Sequence, residues 1–404
     1  MGVFVEGAGA QIFAIRPPAE DRPQPDILWQ RPGRGMGASA ADGILTAVDL
    51  DGDHAVELVA AETTATGAAA LVAYHADGQP FWRHAFEQTP GGHPVHNLAA
   101  LTYWWPGHFR STETIDLFVN TRRGLMHSDL GQLLDGRTGQ CIWSRDKAVV
   151  PDQFHWGYAG MPISAADVLG DGRDELVNLY PVCFWIADGA TGAIIAAQEL
   201  ASRKVLPAWA AYGEPLVHDF TGDGKPDILL DSVYILALLD AAGQPIWHGK
   251  ARRDYLRGEA DDNEGQTTSI RHALIDWDGD RRMELASGGY QDGVRAIDPR
   301  DGTVLWSLPA PQPTVGKCTA ANIDGTGGDE LLYAAGNTLV AITGDRQGGR
   351  VLWTWQGPAP LSLPAIADID GDQRAEVLVQ SAAGLVHCID GPAAAQGANQ
   401  GASQ

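Results

Sequence analysis

Carboxylates recur along this chain in one short pattern, D-x-D-G-D-x-x-x-E, that suits a hard cation. Three copies carry an acid at positions 1, 3, 5 and 9: Asp49, Asp51, Asp53 and Glu57; Asp276, Asp278, Asp280 and Glu284; Asp368, Asp370, Asp372 and Glu376. Partial copies keep Asp167, Asp171 and Glu175, then Asp219, Asp223 and Asp227, and around Asn322 only Asp324 and Glu330. Alternate side chains of such a loop turn inward and the glycine permits a sharp bend, so the oxygens could wrap Ca²⁺. The same carboxylates could instead accept hydrogen bonds from their own turn amides, with no ion. Either role is scaffolding, and no motif for an organic cofactor accompanies it.

A second set of residues could do chemistry on sugars. It lies in QTPGGHPVHN (His93, His96), NTRRGLMH (Arg122, Arg123, His127), VVPDQFHWGYAGMP (His155, Trp156, Tyr158) and NLYPVCFW (Tyr180). It continues in KVLPAWAAYGEP (Trp209, Tyr212), the long ARRDYLRGEADDNEGQTTSIRH (Tyr255, Arg257) and SGGYQDG (Tyr290). Trp and Tyr offer flat faces to sugar rings, and Arg grips a uronate carboxylate with a two-pronged fork. β-Elimination beside a uronate needs that carboxylate neutralised, a base for the C5 proton and an acid for the leaving oxygen. His, Tyr and Arg supply all three, so a polysaccharide lyase is the expectation. Trp156, Tyr180, Trp209, Tyr212, Tyr255, Arg257 and Tyr290 are the expected sugar-binding residues.

The elements that must position these residues are short strands. Each acidic copy sits between two apolar runs, as in TAVDLDGDHAVELVAAE, and such runs bounded by Gly and Asp read as strands. Two more follow in each unit, often ending in Trp: Trp82, Trp143, Trp247, Trp306 and Trp353 recur at one position, where they pack. The gap between the copies at Asp49 and Asp167 is twice the usual one, and residues 98–120 fill it with a unit that lacks the acidic loop. Seven units of four strands make an all-β, seven-bladed β-propeller with antiparallel blades. The last unit lacks a Trp-ended strand and the N-terminus carries an orphan one, DILWQRP, so that strand is expected to close the ring and remove its edges. Residues 1–390 are read as a single domain and 391–404, small and polar, as a disordered tail.

These repeats resemble the FG-GAP type of propeller repeat, found in integrin heads and bacterial polysaccharide-degrading enzymes, over roughly residues 44–390. The tags LDGRTGQCIW and ADGATGAII also resemble those of quinoprotein propellers, where they pack blades. The set of His, Tyr and Arg is similar to that of seven-bladed propeller lyases acting on ulvan and on rhamnose–glucuronate linkages. Carried onto this chain, the resemblance makes His96 and Tyr158 the leading base and acid, with His127 and His155 next. Arg122 or Arg123 would face the carboxylate and Tyr212 would line the site. Related propellers include α-rhamnosidases with a His-based site, so a hydrolase is a second reading. An ordinary glycosidase wants two facing carboxylates, for which Glu214, Glu259, Asp261, Asp262 and Glu264 compete. A non-catalytic calcium propeller that binds glycans or proteins is the third.

Composition narrows the field. Among the 404 residues are 28 basic and 51 acidic ones, a net charge of −23, and nucleic-acid binding needs the opposite. The 49 glycines and 24 prolines suit a chain that turns often. The four cysteines have no metal-knuckle spacing and read as small buried hydrophobes. No stretch is long and apolar enough for a membrane span, and MGVFVEGAGAQIFAI lacks the basic start of a signal peptide, although a polymer-degrading enzyme would be secreted or periplasmic. The expected partner is an acidic polysaccharide, met by a monomer.

Overall fold

The computed structural model describes residues 3–7, 11–16, 26–32, 46–63, 69–86, 101–122, 127–146, 157–158, 163–180, 183–199, 215–231, 236–248, 272–289, 293–309, 318–325, 327–367, 375–382 and 385–390. All the regular structure among them is β, without a helix. It forms a seven-bladed β-propeller in which each blade is an antiparallel meander of strands A to D. The blades are 46–86, 101–146, 164–199, 216–248, 272–308, 318–356 and 365–390. Blade 7 shows three strands among the described residues. By contacts the chain divides into two units, one of Met1–Leu200, Glu214–Val217 and Ala241–Gly243, the other of Ala201–Gly213, His218–Asp240 and Gln244–Gln404.

Every acidic loop joins strands A and B, as the repeat spacing predicts. The unit without one is blade 2, where Leu101–Gly107 and Asp116–Arg122 are strands A and B. Within each unit apolar side chains of adjacent blades pack together, as in blades 1 and 2 and in blades 5 and 6, and the central strands are the driest: Ala69–Tyr74 of blade 1 is buried along its whole length.

In the first unit, blades are fastened by the tryptophan of strand D. Trp82 Nε1 donates to the Gly136 carbonyl at 2.7 Å and Trp143 Nε1 to that of Gly189 at 3.0 Å, in each case the C–D turn of the following blade. Two residues on, His84 Nδ1 meets Gly139 O at 2.9 Å and Arg145 Nε donates to Thr191 O at 2.7 Å. In the second unit Trp247 donates to Pro299 O and Trp306 to Asp345 O. The turn must approach the indole closely. Gly139 has φ +68°, and a Cβ there would lie 2.6 Å from Trp82, so both conformation and space call for glycine.

The N-terminus departs from expectation. Asp26–Pro32, the orphan DILWQRP, pairs with Gln11–Arg16, which pairs with Val3–Gly7, and the three make a sheet of their own. Among the described residues it does not add to blade 7. VFVEG and QIFAIR are themselves strands, and so close in sequence that they give DILWQRP a local partner at low loop-closure cost. Its tryptophan still behaves as a strand D tryptophan: Trp29 Nε1 donates to Ala76 O and its ring covers Gly78, while Arg31 Nε donates to Gly78 O. The cysteines also differ. Cys141 and Cys388 are exposed, one opening an outermost strand and the other in the last described strand of blade 7. The tail from 391 lies outside the described residues.

Gly139→Ala should destabilise the protein by about 1–3 kcal/mol, through backbone strain and displacement of Trp82. Urea denaturation followed by tryptophan fluorescence measures this, and an unchanged midpoint would contradict it.

Candidate functional site

The two ends of each blade carry different chemistry. At the A–B end, strand B opens on a buried acid in all seven blades: Glu57, Asp116, Glu175, Asp227, Glu284, Glu330 and Glu376, none more than 7 % exposed. The amide leading into the loop answers it. Leu50 N donates to Glu57 at 2.9 Å, Val168 N to Glu175 at 3.0 Å, Thr221 N to Asp227 at 2.9 Å and Ile323 N to Glu330 at 3.0 Å. The acid at position 9 is therefore a loop anchor. Blade 2 keeps it as Asp116 although the rest of its acidic loop is gone. A D/E followed by aliphatics at every strand B (ELVAA, DLFVN, ELVNL, DILLD) is the signal that sequence reading missed.

Cations meet some of these anchors. Arg110 forks onto both oxygens of Asp116 at 2.8 and 2.7 Å and reaches Asp135 at 2.6 Å. In the second unit Arg346, from the C–D turn of blade 6, pairs with Glu284 of blade 5 and with Asp298 at 2.6 Å. Although burial works against it, hydrogen bonds from Arg300 and Arg346 hold the Asp298 carboxyl down to about 2. Glu175 goes the other way: burial, and then the nearby Asp171 and Asp167, push it up to about 7 despite its two backbone donors.

The acids at positions 1, 3 and 5 lie further out. Asp49 accepts from Gly52 N and His54 N, Asp51 from Asp53 N, and Asp53 from Ala55 N. One oxygen of each of Asp49, Asp51 and Asp53 falls within 4.8 Å of the others, and the same holds for Asp276, Asp278 and Glu284. Glu57 and Asp280 stand outside these groups. Glu57 turns instead to Leu50 N and His75 Nδ1, the latter at 3.3 Å. Asp368, Asp370 and Asp372 lie outside the described residues.

The opposite end of the blades is where strand B gives way to C. In blade 2, strand C (His127–Leu134) carries a short extra strand, Gly157–Tyr158, on its edge. The register sets Tyr158 opposite His127 and Gly157 opposite Ser128. On the other side Ser128 faces Arg122, the last residue of strand B. Three residues singled out from sequence thus meet on adjacent strands. Opposed residues share a face and successive ones alternate, so His127 and Tyr158 belong to one face and Arg122 to the other. Tyr180 ends strand B of blade 3, beside which the extra strand lies. His96, Arg123, His155, Trp156, Trp209, Tyr212, Tyr255, Arg257 and Tyr290 lie outside the described residues.

A family profile described as outer membrane protein assembly factor BamB matches residues 233–396. No curated protein matches the chain. Solved structures share the fold at low identity. Sqt1 of Saccharomyces cerevisiae is 12% identical with a TM-score of 0.62, over 96% of this chain and 92% of that one. A rhamnogalacturonan lyase of Bacillus licheniformis is 15% identical with a TM-score of 0.52, over 94% and 79%. BamB of Moraxella catarrhalis is 17% identical with a TM-score of 0.50, over 86% of each. At these identities the likeness is one of fold.

An acid raised in the folded state makes the fold bind more protons than the unfolded chain. The contribution of Glu175 is present at low pH and is lost as pH rises from the ordinary glutamate value through about 7. Glu175→Gln should flatten the fall of melting temperature between pH 5 and pH 8. A parallel pH profile for variant and parent would contradict this.

Proposed function

We propose that this chain is a polysaccharide lyase acting on a uronate-containing glycan, with rhamnose–glucuronate linkages the leading substrate class. The observation that carries the reading is the register pairing of His127 with Tyr158 at the B–C end of blade 2. An imidazole and a phenol on neighbouring strands supply a base and an acid without a metal step. In the proposed reaction His127 removes the C5 proton of the uronate. The electron pair forms the C4–C5 double bond, the C4–O4 bond breaks, and Tyr158 gives its proton to the departing oxygen. Of the two arginines the sequence offers, neutralising the carboxylate falls to Arg123, since Arg122 belongs to the other face of the sheet. The sharing of the fold with rhamnogalacturonan lyases of low identity is consistent with this chemistry.

β-Elimination leaves an unsaturated uronate that absorbs in the ultraviolet, and hydrolysis does not. Incubation with ulvan and rhamnose–glucuronate polymers should give rising absorbance, reduced at least ~100-fold in His127→Ala and Tyr158→Phe, the usual scale of a lost general acid or base. A flat trace with new reducing ends would favour the α-rhamnosidase-type hydrolase. A flat trace without products would favour a binding propeller, the class that a fold shared with Sqt1 and BamB also allows.

We also propose that the blade 1 loop binds Ca²⁺ through Asp49, Asp51 and Asp53, whose oxygens converge within 4.8 Å of one another. The ion would rigidify the turn and take no part in elimination. Millimolar CaCl₂ should raise the melting temperature of the protein by a few degrees, and Asp51→Asn with Asp53→Asn should abolish the rise. Equal melting temperatures in CaCl₂ and in chelator would end the proposal.

A further inference from the structure

The strand Gly157–Tyr158 pairs with strand C of blade 2 beyond the described end of strand D. Among the described residues strand D (Cys141–Asp146) runs beside strand C as far as Leu130, which faces Asp146. Strand C begins three residues earlier, and on its other side Ser128 is already paired with Arg122. Beyond Leu130, His127 and Ser128 pair on this edge with Tyr158 and Gly157. Among the described residues no other blade carries a fifth strand.

A ladder of two residues is a weak fastening. Each backbone hydrogen bond contributes about 0.5–1.5 kcal/mol net. Fixing a glycine gives back more conformational freedom than fixing any other residue. The two terms oppose each other, so the ladder alone adds little to the paired arrangement, and strand B of blade 3 is the other element beside the segment. Yet the same pairing decides the geometry of the site, because opposed residues in an antiparallel pair stand about 4.5–5.5 Å apart between Cβ atoms on one face. With the strand paired, residue 158 is next to residue 127. Unpaired, His127 has lost the group that would complete it.

We infer that the site is assembled by strand addition: pairing of Gly157–Tyr158 with His127–Ser128 delivers Tyr158 to His127, and an acidic oligosaccharide held by both residues favours the paired arrangement. The role given to Tyr158 rests on the lyase reading, whereas the pairing does not. A ligand that touches both residues binds the paired form better, so by linkage it shifts the population toward pairing. Gly157 is then a positioning residue. It acts through Tyr158, and its backbone has to lie flat against Ser128.

Hydrogen exchange on the full chain tests this, with a rhamnose–glucuronate oligosaccharide as the probe. Segments 127–128 and 157–158 should exchange at least tenfold faster than residues 130–134 of the same strand, and should slow together when the probe is added. Gly157→Pro should remove the joint slowing and lower kcat by the factor seen in Tyr158→Phe. The double variant should be no slower than either, with an unchanged melting temperature, and Gly157→Ala should restore the rate. Core-like protection of 157–158 that ignores the probe would overturn strand addition, as would a fully active Gly157→Pro beside an inactive Tyr158→Phe. If the parent protein eliminates no uronate polymer, the lyase reading falls. The exchange measurement then decides strand addition alone: joint slowing supports it and independent behaviour of the two segments overturns it.

Discussion

A carboxylate buried at the first residue of each strand B, answered in five blades by an amide of the loop that leads into it, is the contact around which the blades are arranged. Burying such a charge is costly unless it is hydrogen-bonded, and a charged hydrogen bond to a backbone N–H returns about 1.5–3 kcal/mol. The loop entering strand B is therefore held to one geometry, since any other leaves the acid stranded. Glu57, Glu175, Asp227 and Glu330 meet this demand with amides. Asp116 meets it with the fork of Arg110 and the amide of Gly136. Blade 2 can lose its outer aspartates and keep its shape for that reason.

This arrangement sorts the charge of the molecule. The repeated acids are committed to the A–B loops, where turn amides and the arginines Arg110 and Arg346 engage them. The B–C end of each blade is left without a repeated obligation. His127, Tyr158 and Tyr180 come to that end in blades 2 and 3, on backbone held by neighbouring strands.

How much of this was legible in the sequence depended on range. The strand count, the A–B placement of the acidic loops and the packing role of Trp82 or Trp306 follow from local pattern, because the period of the repeat and the period of a strand are both short. The acid at position 9 was read as a ligand, since spacing alone does not say that Glu57 turns inward to Leu50 N. Arg346 was invisible, since it acts on Glu284 in the previous blade. The N-terminal sheet was missed because VFVEG and QIFAIR lack the acidic loop that marks every other unit. The opposition of residue 158 to residue 127 was not legible, because no spacing rule encodes the fold-back that produces it. Residues such as Trp209 and Tyr255 stay at the level of sequence.

The fastening between blades also has a direction. Trp29 reaches ahead to residue 76, Trp82 to 136, Trp143 to 189, Trp247 to 299 and Trp306 to 345. In each pair the donor is made before its acceptor. A blade leaving the ribosome can form its own ladder, but its indole remains unsatisfied until the next blade has been synthesised through its third strand.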